Sequence, residues 1–297
     1  MRALVADPTA PERISIQEVP EPEPGRDEVL VEVHAISLNR GELNRLAGAA
    51  PGWRPGWDIA GTTPDGRRVV GVLDGGAWAE RVAVPLNRLA ELPERVSFSQ
   101  AAALPVAALT ALRILRYAPD LLGRRVLIDG AAGGVGRFAI QLAHMGGAEV
   151  TASAGRPERA EGLDALGADR MVVGLGGLQP PYDLVLDSVG GDTLAALFKV
   201  VQPYGTLVMF GNSSNQPTTF DVRDVYLGGL IRLQGFTLFS SFPADPPARD
   251  LAYLVGLVAA GSLDPQVAGE LRWEDMPAAL ARLRERSVPG KLVLKLR

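Results

Sequence analysis

The chain has 297 residues, 47% hydrophobic and 22% charged, with a formal net charge of −4, which is ordinary soluble usage in roughly two domains and excludes a general nucleic-acid binder with its basic surface. It has no cysteine and two histidines, His34 and His144. That excludes disulfides, thiolate zinc sites and cysteine nucleophiles and deprives a catalytic zinc of its usual donors, leaving only an all-carboxylate magnesium site open. No apolar run reaches the about 18–20 residues of a membrane span, and "MRALVAD" is too soon broken by Asp7 and Pro8 to act as a signal peptide, so no membrane partner and a cytoplasmic location are expected.

Residues 1 to 90 read as β-rich. In "VPEPEPGRDE", Pro20, Pro22 and Pro24 at alternate positions give a stiff extended loop. "DEVLVEVHAISLN" then alternates Val29, Val31 and Val33 with Glu32 and His34, a strand with His34 on its exposed polar side. "PGWRPGWDIAGTTPDG" reads as tight turns. In "SFSQAAALPVAALTALRILRYA", Ser97 and Gln100 stand in capping-box spacing and a helical pattern is interrupted at Pro105. From "GRRVLIDG" onward strands ("VLID", "AEVTAS", "YDLVLDSVG", "GTLVMFG") alternate with helices ("GGVGRFAIQLAHM", "PERAEGLDALG", "DTLAALFKVV"). That rhythm predicts an α/β fold with a doubly wound parallel sheet. After the Pro-rich break "PADPPARD", "DMPAALARLRER" has acids at its start and arginines at its end, as a helix dipole prefers. "KLVLKLR" reads as a last strand, with Leu292, Leu294 and Leu296 on one face and Lys291, Lys295 and Arg297 on the other. A lone helix and strand cannot form a domain. The expectation is therefore a nucleotide-binding domain, 99–245, inserted into a second domain built from 1–98 and 246–297.

The nucleotide site is the most specific signal. The strand "VLID" runs into Ala131-x-Gly133-x-x-Gly136 and then a helix. The middle glycine lets the backbone approach a diphosphate, and the last lets the helix pack close to the strand. The amides at the helix start, around Gly134 to Gly136, suit the diphosphate. About 20 residues on, an acid binds the ribose of NAD and a base accepts the extra phosphate of NADP. Here the segment reads Ser153-Ala154-Gly155-Arg156-Pro157-Glu158-Arg159. No acid sits at the strand end, Glu158 falls inside the next helical turn, and Arg156 and Arg159 carry the fork that matches phosphate. NADPH is the expected cofactor.

"GAAGGVGRFAIQLA", "PGWDIAG", "AAALPVAALTA", "DSVGG", "GTLVMFG" and the terminal "GKLVL" together resemble, over nearly the whole chain, a zinc-independent quinone oxidoreductase of the medium-chain dehydrogenase/reductase superfamily. The resemblance implies a Rossmann sheet inserted in a GroES-like β-barrel lobe, and a homodimer joined through Rossmann-domain edges. Asn39 matches the catalytic cysteine of zinc-dependent relatives and Trp57-Asp58 their His-Glu pair, their structural zinc segment is absent, and the loop between Gly61 and Ala77 is shortened. By the same resemblance Asn39 faces nicotinamide and substrate, and Thr110 hydrogen-bonds near the nicotinamide. Gly133, Gly134 and Val135 hold the diphosphate, and Ser153, Arg156 and Arg159 surround the 2′-phosphate. Ser188 and Val189 border the adenosine or ribose, and Phe210 and Gly211 line the path to the nicotinamide ring, with core packing the competing role for Val189 and Phe210.

Hydride transfer needs placement more than a special acid. Asn39, Arg40 and Arg45 are the candidates to steady charge on an acceptor oxygen, and neither His34 nor His144 is. Trp53 and Trp57 either wall a flat substrate or pack their own loop. The expected function is NADPH-dependent reduction of a small quinone or other α,β-unsaturated carbonyl. The alternatives are an enoyl-thioester reductase, since the enoyl reductase modules of polyketide and fatty-acid synthases resemble the same zinc-free branch, and an NADPH-binding regulatory or structural protein with little turnover.

Overall fold

The computed structural model describes residues 1–296; Arg297, assigned to the last strand above, lies outside the described residues. The first half of the chain carries β1 (Arg2–Ala6), β2 (Ile14–Glu18), β3 (Glu28–Ser37), α1 (Arg40–Ala47), β4 (Asp58–Thr62), β5 (Arg68–Val72), β6 (Arg81–Pro85), β7 (Leu89–Glu91), α2 (Phe98–Ala102) and α3 (Pro105–Leu115). Strands and helices then alternate: β8 (Arg125–Asp129), α4 (Gly134–Met145), β9 (Glu149–Ala154), α5 (Pro157–Ala160), β10 (Arg170–Val173), β11 (Tyr182–Asp187), α6 (Gly191–Leu197), β12 (Val201–Met209), α7 (Val222–Tyr226) and β13 (Arg232–Gly235). The chain closes with α8 (Leu238–Ser241), α9 (Ala248–Ala259), β14 (Val267–Arg272), α10 (Met276–Arg284) and β15 (Lys291–Lys295). Two compact units result: Met1–Leu109 with the chain from Leu238 on, and Thr110–Thr237.

The first unit is built from both ends of the chain. Its main sheet runs β14-β15-β3-β4-β5-β7, with β6 also paired to β3, and β1 and β2 form a separate ribbon. β15 lies antiparallel to the end of β3, pairing Val293 with Ser37 and Lys295 with Ala35. Period-two alternation drives β3: Val31 and Val33 are buried with Ile36, Ile59, Trp78 and Trp273 in one apolar cluster. The terminal strand departs from simple alternation. Lys291 is buried together with Leu292, Val293 and Leu294, because β15 is an interior strand between β14 and β3 and Lys291 finds polar partners there. His34, expected exposed, is half-buried: its ring stacks on Phe98 at 4.4 Å and its Nε2 lies 3.1 Å from Thr62 Oγ1. Trp53 and Trp57 both pack within this unit, Trp53 against the apolar cluster and Trp57 edge-on to Phe239 at 5.1 Å. At the start of α2 the capping box closes as its spacing requires: Ser97 N donates to Gln100 Oε1 (2.9 Å) and Gln100 N to Ser97 Oγ (3.2 Å). The helix stops before Pro105, which opens α3 instead.

The second unit is a six-stranded parallel sheet in the order β10-β9-β8-β11-β12-β13. Counted within the unit this is 3-2-1-4-5-6, the doubly wound order of dinucleotide-binding folds. The central strands are near-continuous apolar runs because both faces of a parallel sheet are covered: Val126, Leu127 and Ile128 of β8 and Leu184, Val185 and Leu186 of β11 are all fully buried. Two details differ from expectation. "PERAEGLDALG" forms one α-helical turn, Pro157–Ala160, and a short 3-10 turn, Asp164–Leu166, because Gly162 at φ 72° ends the helix. The strands β10 and β13 carry no clear alternation in sequence; they are four-residue edge strands held by their neighbours. No helix among the described residues is long and apolar enough to cross a membrane.

Candidate functional site

Open parallel sheets bind ligands at the carboxyl ends of their strands. In the second unit the expected nucleotide residues gather there. After β8 the chain turns at Gly130, whose φ of 73° suits glycine, and the Gly133 amide donates to the Gly130 carbonyl (3.0 Å). α4 starts at once, with no side chain capping its N-terminus, so its first-turn amides have no intrahelical partner. A Cβ on Gly136 would stand 2.5 Å from the Ala131 carbonyl oxygen, so only glycine lets the helix pass this close to the turn. Gly133, Gly134 and Val135 are partly exposed around those amides. The turn and its unpartnered donors fit the diphosphate of a dinucleotide.

Ser153 closes β9 from within. It is fully buried, and its hydroxyl is engaged with Asp129 Oδ1 (2.8 Å) and the Gly174 carbonyl (3.0 Å) inside the sheet. The surface just beyond the strand belongs to Gly155 and Arg156, both exposed, and Arg159 Nη2 reaches back to the Ala132 carbonyl of the glycine turn (3.4 Å). The loops after β11 and β12 are stitched together. Ser188 Oγ donates to the Asp129 carbonyl (3.2 Å), Phe210 N to the Asp187 carbonyl (2.9 Å), Ser213 N to the Ser188 carbonyl (3.0 Å) and Ser214 N to the Val189 carbonyl (2.9 Å). Ser188, Val189 and Phe210 are partly exposed and Gly211 is exposed. Thr110 is buried on α3.

Beneath these loops lie two aspartates, at the ends of β8 and β11. Asp129 and Asp187 are register partners on adjacent strands, both buried. Burial pushes the Asp187 carboxyl up to about 6 against the pull of the Val189 and Gly190 amides, with Asp129 adding to the rise. Burial likewise raises Asp129, opposed by Ser153 and the Gly130 amide.

Asn39 belongs to the first unit, inside a buried polar network. Asp58 Oδ2 accepts from Ser37 Oγ (2.6 Å) and Asn39 Nδ2 (2.7 Å), and its Oδ1 accepts from Val106 N (3.0 Å). Lys291 Nζ donates to Asn39 Oδ1 (2.6 Å) and the Leu38 carbonyl (2.8 Å) and lies 3.4 Å from Asp58 Oδ2. The Asn39 amide is therefore oriented by an acid on one side and an ammonium on the other. Glu42, at the third position of α1, accepts from Asn39 N (2.7 Å) and so fixes the helix start. Burial, then Asp58, hold its carboxyl well above the usual range, against the Asn39 and Trp57 amides and Lys291. Sequence reading had found Asn39 and Asp58 but not Lys291, Ser37 or Glu42. The legible signal was Asp58 within "WDIAG": an acid inside an apolar strand requires a cationic or donor partner.

Among the described residues no three His, Cys, Asp or Glu side chains come together as a metal group. The residues at the positions matched to zinc ligands do not fit zinc, because Asn39 presents an amide oxygen that already accepts from the Lys291 ammonium.

The profile of the zinc-binding dehydrogenase family matches residues 166–294. A quinone oxidoreductase of Pseudomonas aeruginosa is 30% identical over 96% of the chain and 96% of its own length. A spectinabilin polyketide synthase protein of Streptomyces orinoci is 35% identical over 81% of the chain. The chain spans only 11% of that protein and 10% of a second, highly reducing polyketide synthase, and 58% of a tomato 2-methylene-furan-3-one reductase. Among solved structures, the quinone oxidoreductase of Thermus thermophilus, described with its NADPH complex, superposes with a TM-score of 0.81 at 30% identity, covering all of both chains.

Proposed function

The chain belongs to the quinone oxidoreductase-like branch of the medium-chain dehydrogenase/reductase superfamily and is an NAD(P)-dependent oxidoreductase, and from that membership we propose that it transfers a hydride from NADPH to a quinone or other α,β-unsaturated carbonyl. The observation that carries the cofactor choice is the end of β9. Its serine is turned into the sheet, no carboxylate stands at the strand tip, and Arg156 and Arg159 lie just beyond it, one exposed and one reaching the glycine turn. A 2′-phosphate meets a fork of guanidinium donors there, and a free ribose hydroxyl meets no acid to accept its hydrogen bond.

NADPH, when bound, supplies the hydride; the protein's part is orientation and charge. Gly133, Gly134 and Val135 hold the diphosphate with backbone amides, Ser188 and Val189 border the adenosine side, and Thr110, Phe210 and Gly211 serve the nicotinamide side. Asn39 is the least buried member of its network, 9% exposed against 3% for Lys291 and none for Ser37, Glu42 and Asp58. It is the member through which that network meets an acceptor oxygen: a fixed amide donor, with the Lys291 ammonium behind it, stabilises negative charge as it develops. Water protonates the released hydroquinone anion or enolate. The protein acts as a homodimer joined at the edge strand β13, beside which Phe220, Val222, Tyr226, Leu227, Leu230 and Leu233 are exposed.

One observation favours a second reading, reduction of an enoyl thioester. Arg40 opens α1 directly after Asn39, and its guanidinium is lowered by burial and by the nearby positive charge of Arg286. A partly buried guanidinium beside Asn39 suits an anion such as the phosphate of an acyl carrier. Following NADPH absorbance with quinones, enones and crotonyl-coenzyme A, and measuring Kd for NADPH and NADH, tests these readings together. Turnover of quinones and enones with the tighter Kd for NADPH supports the first. Turnover of the thioester alone supports the second. A tighter Kd for NADH overturns the cofactor assignment, and binding without turnover assigns the protein a non-catalytic role.

A further inference from the structure

Under the nucleotide loops of the second unit, two buried carboxyl groups stand side by side. Asp129 ends β8 and Asp187 ends β11, paired in parallel register. One oxygen of Asp129 accepts from Ser153; the other, Oδ2, is buried and meets no donor. As register partners on adjacent parallel strands, Asp129 and Asp187 turn their side chains to the same face of the sheet, and each shifts the carboxyl of the other. Two carboxylate oxygens both accept, so the buried pair can close a hydrogen bond between them only when one of them carries a proton. On the other side Asp187 is held in place by the Val189 amide at 3.0 Å and the Gly190 amide at 3.2 Å. Ser188, between Asp187 and Val189, donates to the carbonyl of Asp129. The two acids thus fasten the loop after β11 to the turn after β8, the loops to which the nucleotide contacts are assigned.

We propose that Asp129 and Asp187 share a single proton and that binding of the dinucleotide is coupled to retaining it. This rests on the reading of the carboxyl edge as a nucleotide site. The reasoning is electrostatic. With the proton the pair carries one negative charge and can close a hydrogen bond between its oxygens. Without the proton two buried like charges face each other and the pairing that aligns the loops becomes repulsive. A dinucleotide brings its own negative phosphates to the edge directly above. It therefore disfavours the doubly ionised pair further and shifts the shared ionisation upward, which by linkage is proton uptake on binding. The charged or titratable residues on the surrounding elements are Arg125 of β8, Arg137 and His144 of α4, Glu149 of β9, Glu158 and Arg159 of α5, Tyr182 and Asp183 of β11, Asp192 of α6 and Tyr204 of β12. The groups that act on Asp129 are Ser153, the Gly130 amide and Asp187; those on Asp187 are the Val189 and Gly190 amides and Asp129. The pair is a positioning device and touches no reacting atom.

The test has two arms. In the free protein, carboxyl carbon-13 signals are followed against pH in the wild type and in Asp129→Asn, whose amide donates to Asp187 without needing a proton. The expectation is that the Asp187 signal titrates near pH 6 in the wild type and at distinctly lower pH in the variant; an unmoved Asp187 titration overturns the shared proton. In the second arm, calorimetry of NADPH binding in two buffers of different ionisation enthalpy counts protons taken up. The 2′-phosphate's own titration is common to both proteins, so the difference between them isolates the pair. Greater uptake by the wild type in the range pH 6–7, with affinity that declines more steeply with pH, is expected. Equal uptake in both proteins overturns the coupling. If Asp129→Asn does not fold, Asp187→Asn serves in the calorimetric arm. If the folded wild type binds no NADPH, the nucleotide reading and the coupling fall together, while the free-protein titration still decides whether the proton is shared.

Discussion

Replacing Lys291 by methionine removes the ammonium from the network around Asn39 while keeping the volume of the stem. The loss can be worked out from the contacts. The Leu38 carbonyl and Asn39 Oδ1 lose their donor, and Asp58 loses the Lys291 ammonium, keeping Ser37, Asn39 and the Val106 amide. A buried acceptor left without a donor costs about 1–3 kcal/mol, and removing one partner of a buried ion pair costs about 3–5 kcal/mol. Because Asp58 keeps three donors, the expected loss lies near the lower end, about 3 kcal/mol. For a domain of this size each kcal/mol shifts Tm by roughly 2–4 °C, so Lys291→Met melts roughly 6–12 °C below the wild type. Thermal and urea unfolding followed by circular dichroism measure it. In a double-mutant cycle with Asp58→Asn the two losses are strongly non-additive, with a coupling of about 1–3 kcal/mol. A loss under about 1 kcal/mol, or full additivity, would refute the view that Lys291 and Asp58 form one buried network.

Further outcomes follow from the second unit. Changing Arg156 and Arg159 to glutamine weakens NADPH binding by about 1.5–3 kcal/mol, roughly 10- to 150-fold, and leaves NADH within a few-fold, as equilibrium fluorescence titration reads. Gly136→Val drives side-chain atoms into the Ala131 backbone and abolishes nucleotide binding before it unfolds the protein, which pairing of a binding assay with a melt distinguishes. Asp187, raised from 3.8 to about 6, favours the folded state below its unfolded value and loses that contribution as pH rises through about 6. Stability then falls by about 2 kcal/mol between pH 4 and pH 6.5 from this group, and Glu42, also raised, acts in the same direction. Urea unfolding across that range shows a shallower fall in Asp129→Asn; an unchanged slope contradicts the assignment to this pair. Leu233→Lys on β13 puts a charge on the edge strand and converts a dimer to a monomer in light scattering.

Elements with strong local signals were readable without coordinates. The alternation in β3, the Ser97–Gln100 box, the stop at Pro105 and the turn from "VLID" into α4 all come from nearest neighbours in sequence. β10 and β13 were not readable, since "RMVV" and "RLQG" are short edge strands selected by the sheet they join. The glycine turn and the two arginines beyond β9 were equally local and stood out. The networks beneath both sites were invisible because they join residues far apart in the chain: Lys291 meets Asn39 across 252 positions, and Asp129 meets Asp187 only through the parallel pairing of β8 and β11. For the same reason Ser153 looked like a ligand-facing residue; only the register with β8 reveals that its hydroxyl serves Asp129.

The claim that this is an NADPH-dependent reductase is tested most directly by steady-state kinetics with both nicotinamide cofactors against one reactive quinone and one enone. The account predicts turnover in which kcat/KM for NADPH exceeds that for NADH by roughly tenfold or more, the worth of one charge-assisted phosphate contact. Equal or greater kcat/KM with NADH, or no oxidation of either cofactor by any acceptor, would contradict it.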